Sequence, residues 1–149
     1  MGSLDQDLAA HTIVAVDTAP FIYFWEHHPR YFHLAETLFR RLKDPQIQGI
    51  TSIITLIEAS IHPQRQGRQD LVTAYERALL HSQQVQTLPV TAPLARRAVV
   101  LRAAYNIHVP DALQIAAAIE AGASLFVTND HRLSQVEEIQ VLLLNDYAA

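Results

Sequence analysis

Short apolar runs alternate with longer segments of helical periodicity along most of the chain. The run HTIVAVD (11–17) is rich in β-branched residues and ends at an acid, which predicts a strand. In contrast, Leu34, Leu38 and Leu42 recur four apart with charges between them, which predicts an amphipathic helix over 31–44. The two patterns together predict strands over 11–17, 47–51, 85–90, 124–130 and 139–146, and helices over 19–28, 31–44, 53–62, 69–82, 91–107 and 109–122.

This alternation, with no β-hairpin signal, is typical of a parallel sheet covered by helices. The sequence therefore predicts an α/β fold, a three-layer α/β/α sandwich around a mostly parallel sheet of about five short strands. Residues 131–138 are expected to form a turn or a short helix, and Thr51 and Ser52 are suited to cap the helix over 53–62. With no repeat or linker in view, residues 1–149 are expected to form a single domain, and residues 1–10 a disordered N-terminal extension.

Composition narrows the class of protein. Half of the 149 residues are hydrophobic and 17% are charged, which is typical of a globular chain. The absence of cysteine excludes disulfides, thiolate metal sites and a cysteine nucleophile. No apolar run reaches the length of a membrane span, and the N-terminus lacks the order of a signal peptide, so we expect a cytoplasmic protein.

The formal charge of −4 speaks at first against a nucleic-acid partner, because such proteins are usually basic. Net charge hides its distribution, however. Ten of the eleven basic residues are arginines, which bind phosphate well. The charge therefore leaves an RNA substrate open.

Four acids interrupt or end apolar segments. Asp17 and Asp130 end predicted strands, Glu58 stands alone in the helix over 53–62, and Asp111 lies in the first turn of the apolar helix over 109–122. Each has an ordinary explanation: Asp17 can cap the next helix, Asp130 suits a turn, and Asp111 meets the helix dipole. Glu58 has no capping role, although it could face solvent or pair with an arginine.

The combination is more informative than any single acid. In open parallel sheets, ligands bind beyond the carboxyl ends of the strands, where this fold could gather all four. Clustered carboxylates repel each other unless a cation intervenes, and oxygen ligands suit Mg²⁺ or Mn²⁺. Such a metal can polarise a phosphoryl oxygen and activate water. Without the four acids the chain would carry 11 acids and 11 bases, so the surplus negative charge resides in this group.

With these residues in hand, the chain resembles the PIN-domain family of metal-dependent ribonucleases, and within it the VapC-like toxins of bacterial toxin–antitoxin systems. The resemblance runs from about residue 11 to 147. The matching pieces are VDTAPFIYF, SIITLIEAS and VPDALQIAAAIEAGASLFVTND, which carry the family's four acids as Asp17, Glu58, Asp111 and Asp130. The last piece is the most specific of the three.

The resemblance implies a PIN-like fold and endonucleolytic cleavage of RNA, with Asp17, Glu58, Asp111 and Asp130 as catalytic metal ligands for Mg²⁺ or Mn²⁺. It also implies a cognate antitoxin and a homodimer, for which we expect contact through the aromatic residues over 21–25 and the helix over 31–44.

Residues next to two of the acids also match the family. We expect orienting roles for Thr18, Thr128 and Asn129. The chain departs from the family at Ala19, where a small polar residue, commonly Asn, follows the Asp-Thr pair. This departure affects the hydrogen bonding around Asp17 rather than the ligand itself.

Two other functions stay open. One is a PIN-like module that binds RNA or protein without catalysis; loss of an acid would indicate it, and all four acids are present. The other is a doubly wound phosphotransferase with Asp17 as the nucleophile. Such enzymes usually carry a second acid two residues later, where this chain has Ala19, and a lysine, for which only Lys43 is present.

Overall fold

A computed structural model describes residues 2–149 and contains a five-stranded, fully parallel sheet. The strands are β1 (Ile13–Val16), β2 (Gln48–Ser52), β3 (Val85–Leu88), β4 (Leu125–Thr128) and β5 (Gln140–Leu143). The α-helices are α1 (Leu4–Ala9), α2 (Thr18–Trp25), α3 (Phe32–Arg41), α4 (Ile54–Arg65), α5 (Gln69–Leu80), α6 (Ala92–Tyr105) and α7 (Val109–Glu120). Two 3₁₀ turns, His131–Gln135 and Leu144–Tyr147, flank β5.

The strand order is β3-β2-β1-β4-β5, so the chain builds outward from β1 in one direction and then in the other. Ala15 pairs with Ile50 of β2 and with Phe126 of β4. The direction of winding therefore changes between β1 and β4, and in open parallel sheets this is the position where ligands bind. The predicted fold class is confirmed.

The alternation of side chains along the strands divides the interior into two cores. Val14 and Val16 of β1 face a core shared with α1 to α5, whereas Ala15 between them faces a core formed with α6 and α7. The central strands are buried on both faces, which explains why their residues are apolar except for Thr128 at the end of β4. Helices on both sides of one sheet give the three layers that the sequence predicts.

Helix α7 is the most deeply buried helix, and its sequence sets both of its ends. Pro110 lies in the first turn, where its missing N–H has no intrahelical role. Gly122 ends the helix with a positive φ of 76°, while Ala123 donates back to the carbonyl of Ala118 at 2.9 Å. This geometry is the Schellman type of helix end, in which glycine carries no side-chain penalty.

The expectation of a disordered extension over residues 1–10 is wrong for the residues described; Met1 lies outside them. Ser3 and Gln6 form a capping box at the start of α1, and Leu4 and Leu8 are buried in the core. The Arg41 guanidinium also binds Asp5 with two hydrogen bonds of 2.6 and 3.1 Å. A helix of six residues is not stable alone, so its packing against α3 decides its formation.

The end of the last strand and the role of Thr51 differ from the prediction, in both cases because of contacts with the rest of the fold. The final strand ends at Leu143, because the chain then turns into the 3₁₀ segment that buries Leu144. Thr51 belongs to β2 and does not cap α4; its hydroxyl donates to the carbonyl of Val16 at 2.7 Å. None of the helices within residues 2–149 has the length and hydropathy needed to cross a bilayer.

Candidate active site

Asp17 follows β1 directly and is the N-cap of α2, as its sequence position suggested. Its Oδ1 accepts the N–H of Thr18 at 2.8 Å, and its Oδ2 accepts the hydroxyl of Thr128 at 2.7 Å. Two carboxylate oxygens offer about four acceptor positions, so these two bonds leave room for another ligand. Capping and metal binding are therefore compatible at this residue.

The electrostatic environment of Asp17 is unfavourable to its charge. Only 7% of the residue is exposed, and this burial raises the pKa of Asp17 to about 6. The hydrogen bonds from Thr128 and Thr18 oppose the rise, while the charges of Asp111 and Glu58 add to it. Within residues 2–149, no basic side chain forms an ion pair with Asp17. At neutral pH Asp17 is thus a buried anion without a cation.

Glu58 lies on the outer part of α4 and reaches the same place through one hydrogen bond. The hydroxyl of Thr18 donates to Glu58 Oε1 at 2.7 Å, and this is the only hydrogen bond that the Glu58 side chain makes with residues 2–149. Ile57 and Ile61, on either side of Glu58, are large apolar residues that remain exposed. The acid therefore belongs to the rim of the site and not to a buried helix face.

Asp111 is the third residue of α7, and its side chain caps no backbone N–H within the described chain. The nearest basic atom is Nδ1 of His108, 3.8 Å from Oδ2. Partial burial, followed by the charges of Asp130 and Glu58, raises the pKa of Asp111, while His108 and Arg132 act in the opposite direction. Capping does not explain this acid, although its position still suits the helix dipole.

Asp130 lies two residues beyond β4 and is held by a cation. Its carboxylate accepts the N–H of Arg132 at 3.0 Å and also binds the Arg132 guanidinium, with Nη2 to Oδ2 at 2.6 Å and Nε to Oδ1 at 3.0 Å. This bidentate pair lowers the pKa of Asp130. Asp130 is thus the N-cap of the 3₁₀ turn and an internal ion-pair partner at once.

The fold brings the four acids to one edge of the sheet, within range of each other's charge. Each of the two raised pKa values includes repulsion from two other members of the group. Even so, no three His, Asp or Glu side chains of residues 2–149 converge closely enough to form a closed metal cage. The four acids lie around an open edge of the sheet, and one of them, Asp130, is already paired with Arg132.

The donor chemistry of this edge fits a hard divalent cation. All four side chains offer oxygen, and Asp130 is the one acid of the four that pairs with an arginine within residues 2–149. The pKa values of Asp17 and Asp111 are raised, first by burial and then by repulsion from the other acids. Mg²⁺ usually keeps several waters and takes only one or two carboxylates directly, so a cage of three is not required. Asp17 and Asp111 could hold such an ion directly, and Glu58 and Asp130 could bind water around it.

The residues expected to orient the acids divide into two kinds. Thr18 and Thr128 donate directly to Glu58 and Asp17, and Thr128 Oγ1 also accepts the N–H of Asp130 at 3.1 Å. Asn129 makes no such contact. Its amide group donates to the hydroxyl of Tyr23 at 3.1 Å and accepts the N–H of Asn145 at 2.8 Å, which ties the end of β4 to α2 and to the segment after β5.

Sequence reasoning missed two residues at this edge. Gln114 of α7 is buried and binds Thr18 and Thr55, and Arg132 pairs with Asp130. Both had a sequence signal. Gln114 is the one polar residue between Asp111 and Glu120 in an apolar helix, and Arg132 follows Asp130 by two residues. Neither signal indicates which distant side chain is the partner.

A cavity of about 210 Å³ opens beside Asp111. Polar residues contribute much of its lining: Tyr105, Asn106, His108, Arg132 and Gln135. The cavity adjoins the acid edge through Asp111 and Arg132, so a ligand bound at the edge can extend into it.

Comparison with known protein families identifies the family of this chain. The family model of the PIN domain matches residues 14–139. No curated protein sequence matches the chain significantly. Solved structures with the same fold include VapBC from Salmonella typhimurium bound to DNA (TM-score 0.70, 16% identity, covering 89% of this chain and 98% of that one) and a toxin–antitoxin complex from Klebsiella pneumoniae (0.67, 19%, 88% and 97%).

A third solved structure is Mycobacterium tuberculosis VapC20, described as a toxin that cleaves the sarcin–ricin loop (TM-score 0.67, 18% identity, covering 85% of this chain and 98% of that one). At these identities the structural likeness establishes the fold. The match of the PIN domain spans most of the chain and includes Asp17, Glu58, Asp111 and Asp130, which confirms the resemblance seen in the sequence. This chain belongs to the PIN-domain family.

Proposed function

We propose that this protein is an endoribonuclease that depends on Mg²⁺ or Mn²⁺ and acts in the cytoplasm as the toxin of a type II toxin–antitoxin pair. The observation that carries the proposal is the placement of Asp17, Glu58, Asp111 and Asp130. Four separate elements deliver these acids to the carboxyl edge of the sheet, at the position where the winding direction changes.

The chemistry follows from the charges at this edge. The chemistry that a divalent cation would supply, if held there, is to polarise a phosphoryl oxygen and to lower the pKa of a water molecule. Asp17 and Asp111 would supply the anionic oxygens that hold the cation, and Asp17 is buried among its neighbours. Glu58, at the rim, would accept hydrogen bonds from the water molecule and orient it toward the scissile phosphodiester.

The basic groups at the edge suit the substrate. Arg132 is half-exposed beside Asp130, and His108 is exposed beside Asp111. The arginine guanidinium binds phosphate in a bidentate manner, so these groups can hold the RNA backbone on both sides of the cleaved bond. The cavity lined by Asn106 and Gln135 offers space for a neighbouring nucleotide.

The proposal includes an antitoxin that covers the site. Two of the solved structures with this fold are toxin–antitoxin complexes. On this chain, Ile57 and Ile61 remain 52% and 45% exposed beside Glu58. Exposed apolar side chains grouped next to a functional site are typical of a protein-binding surface. They support an antitoxin segment that lies along α4 and blocks access to the acids.

We also propose a homodimer, but not through the aromatic residues over 21–25. Phe21 is fully buried, and Phe24 and Trp25 pack against Phe39, so this cluster belongs largely to the core. A second group of exposed apolar side chains, apart from those beside Glu58, lies in a groove between α6 and α7 that includes Val90, Val99 and Val109. Light scattering at micromolar concentration tests this: a monomeric mass contradicts the dimer.

The central experiment is RNA cleavage by the purified protein with Mg²⁺, with Mn²⁺ and with EDTA. We expect cleavage that requires the metal and is abolished by Asp111→Asn. The control is Glu120→Gln, which removes an exposed acid from the other end of the same helix. Cleavage that persists in EDTA contradicts the metal mechanism, and cleavage by Asp111→Asn at the wild-type rate contradicts the site.

The same experiment distinguishes the non-catalytic alternative. A folded protein that binds RNA or an antitoxin, but cuts no RNA in a broad panel with either metal, is a binding module. The toxin role has a separate test, because growth arrest on expression, relieved by the product of a neighbouring gene, is expected only of a toxin.

A further inference from the structure

Beneath the four acids lies a buried chain of hydrogen bonds that joins the two helical layers. It contains Thr51 of β2, Thr55 of α4, Gln114 of α7 and Thr18 of α2, each of which is almost completely buried. Gln114 reaches this group from α7, the helix that also carries Asp111. The chain ends at Glu58 on the rim of the site.

The orientation of the Gln114 amide is determined by its partners. The backbone N–H of Ser52 can only donate, and it lies 3.3 Å from Oε1 of Gln114. The amide oxygen therefore faces Ser52, and the NH₂ group faces the two threonine hydroxyls. Nε2 lies 2.7 Å from Thr55 Oγ1 and 3.2 Å from Thr18 Oγ1, so each of its two protons has a partner.

The directions of the hydroxyl protons then follow by counting. Thr51 donates its one proton to the carbonyl of Val16, so in its 2.8 Å contact with Thr55 it must accept. Thr55 thus donates its own proton to Thr51 and accepts one from Gln114. Thr18 also accepts from Gln114, and its proton points to Glu58 Oε1 at 2.7 Å. A single arrangement of protons satisfies every member of the chain.

Without the Gln114 amide, a competing arrangement becomes available. The oxygens of Thr18 and Thr55 are 3.3 Å apart. In the native protein Gln114 Nε2 donates to both of these oxygens, so a Thr18 proton turned toward Thr55 would face the amide N–H groups. If that donor is removed, Thr55 can accept the proton of Thr18, and Glu58 loses the only side-chain hydrogen bond that it makes with residues 2–149.

We propose that Gln114 is a positioning residue for Glu58. Its buried amide directs the hydroxyl proton of Thr18 to the Glu58 carboxylate and thereby holds this exposed rim acid toward Asp17 and Asp111. The consequence for cation binding rests on the proposed function, whereas the consequence for the Glu58 side chain does not. The same contact gives α7 a second role at the site beyond carrying Asp111.

The first test is the position of Glu58 in crystal structures of the wild type and of Gln114→Met, both without metal. Methionine keeps the length of the side chain and removes both donors. We expect Glu58 to leave Thr18 in the variant, with Thr18 turned toward Thr55. A Glu58 carboxylate that stays on Thr18 overturns the proposal, whatever the protein proves to catalyse.

The second test measures Mn²⁺ binding by calorimetry in the absence of RNA. Removal of a residue behind a metal ligand typically costs roughly 10- to 100-fold in metal affinity, and we expect about a tenfold loss for Gln114→Met. Ile115→Val is the control, because it alters the next buried residue of the same helix and removes no hydrogen-bonding group. An equal loss in Ile115→Val means that Gln114 acts only on stability and overturns the proposal.

Substitutions of Thr18 test whether Gln114 acts on Glu58 through the Thr18 hydroxyl. If Gln114 acts through Thr18, the double variant Gln114→Met with Thr18→Val should bind Mn²⁺ no more weakly than Thr18→Val alone. Thr18→Ser, which keeps the hydroxyl, should retain most of the affinity. Additive losses in the double variant contradict the route through Thr18. If the wild type itself binds no Mn²⁺, the proposed function fails, and the crystallographic test alone decides the role of Gln114.

Discussion

The ends of β1 and β4 look alike in sequence and differ in physical state. Each is a short, mostly apolar strand with an aspartate close behind it, one residue after β1 and two residues after β4, and the two strands are neighbours in the sheet. Asp17 is buried without a cation, and its pKa is raised to about 6. Asp130 is more exposed and held by Arg132, so its pKa is lowered. One sequence pattern thus gives an acid that needs a cation and an acid that already has one.

Because of this difference, we expect Asp17 and Asp130 to have different roles in cation binding. A divalent cation gains most from an anion that the protein has desolvated and left unpaired, because no existing ion pair must be broken. Asp17 meets that condition, whereas a cation at Asp130 must first displace the Arg132 guanidinium. Asp17 is therefore expected to carry the metal directly, and Asp130 to tune the charge of the site.

The largest expected effect is on catalysis and separates the two acids. Asp17→Asn should reduce RNA cleavage by at least about a hundredfold, the upper end of the loss seen for residues that only support a ligand. Asp130→Asn should reduce cleavage less, since that carboxylate is shared with Arg132. Single-turnover cleavage at saturating Mn²⁺ measures both. A larger loss from Asp130→Asn reverses the assignment.

The next effect concerns the hydrogen bond that partly compensates Asp17. Thr128→Val removes the hydroxyl donor to Asp17 Oδ2, while it keeps the shape of the side chain. Because a hydrogen bond to a charged group contributes about 1.5–3 kcal/mol, the free energy of unfolding at pH 8 should fall by that amount. The pKa of Asp17 should rise further. Urea unfolding without metal measures the change, and an unchanged stability contradicts the importance of this bond.

Asp17→Asn should stabilise the metal-free protein at high pH. The folded-state pKa of about 6 lies above the ordinary value of 3.8, so the folded protein holds the proton more tightly than the unfolded chain. The cost of ionisation therefore appears as the pH rises from 3.8 to about 6 and stays constant above it.

The expected gain in the free energy of unfolding is about 1–3 kcal/mol at pH 8, and it should vanish near pH 3.5. Urea unfolding across this range measures it, with Glu120→Gln as the control. A variant that is less stable than the wild type at pH 8 shows that Asp17 is not a desolvated, uncompensated anion.

The smallest effect is expected where the ion pair already exists. Asp130 contributes stability above its ordinary pKa, and this contribution is lost as the pH falls toward its lowered value. Because Arg132 and Asp130 are both partly exposed, solvent screens the pair, and Arg132→Gln should cost less than about 1 kcal/mol at pH 7. The same variant should raise the pKa of Asp111, measurable by NMR titration, because Arg132 opposes the repulsion there. An unchanged Asp111 pKa contradicts that coupling.

Much of the fold could be predicted because its elements carry their signals locally. The apolar strands, the Gly122 helix end and the Asp17 cap each depend on a few neighbouring residues. Helix α1 could not be predicted in this way, since six residues form a helix only when Leu4 and Leu8 find a core. The aromatic residues over 21–25 were similarly ambiguous, because a core and an interface use the same side chains.

The sequence by itself determined which acids are available and where each lies relative to a strand or helix end. It named Asp17, Glu58, Asp111 and Asp130, and their common role as metal ligands stays a prediction. Only the tertiary structure decided that β1 and β4 are neighbours, that Asp17 is buried and unpaired, that Arg132 holds Asp130, and that Gln114 lies behind Glu58. The physical reason is that burial and Coulomb interaction depend on distance through space, which local sequence patterns do not encode.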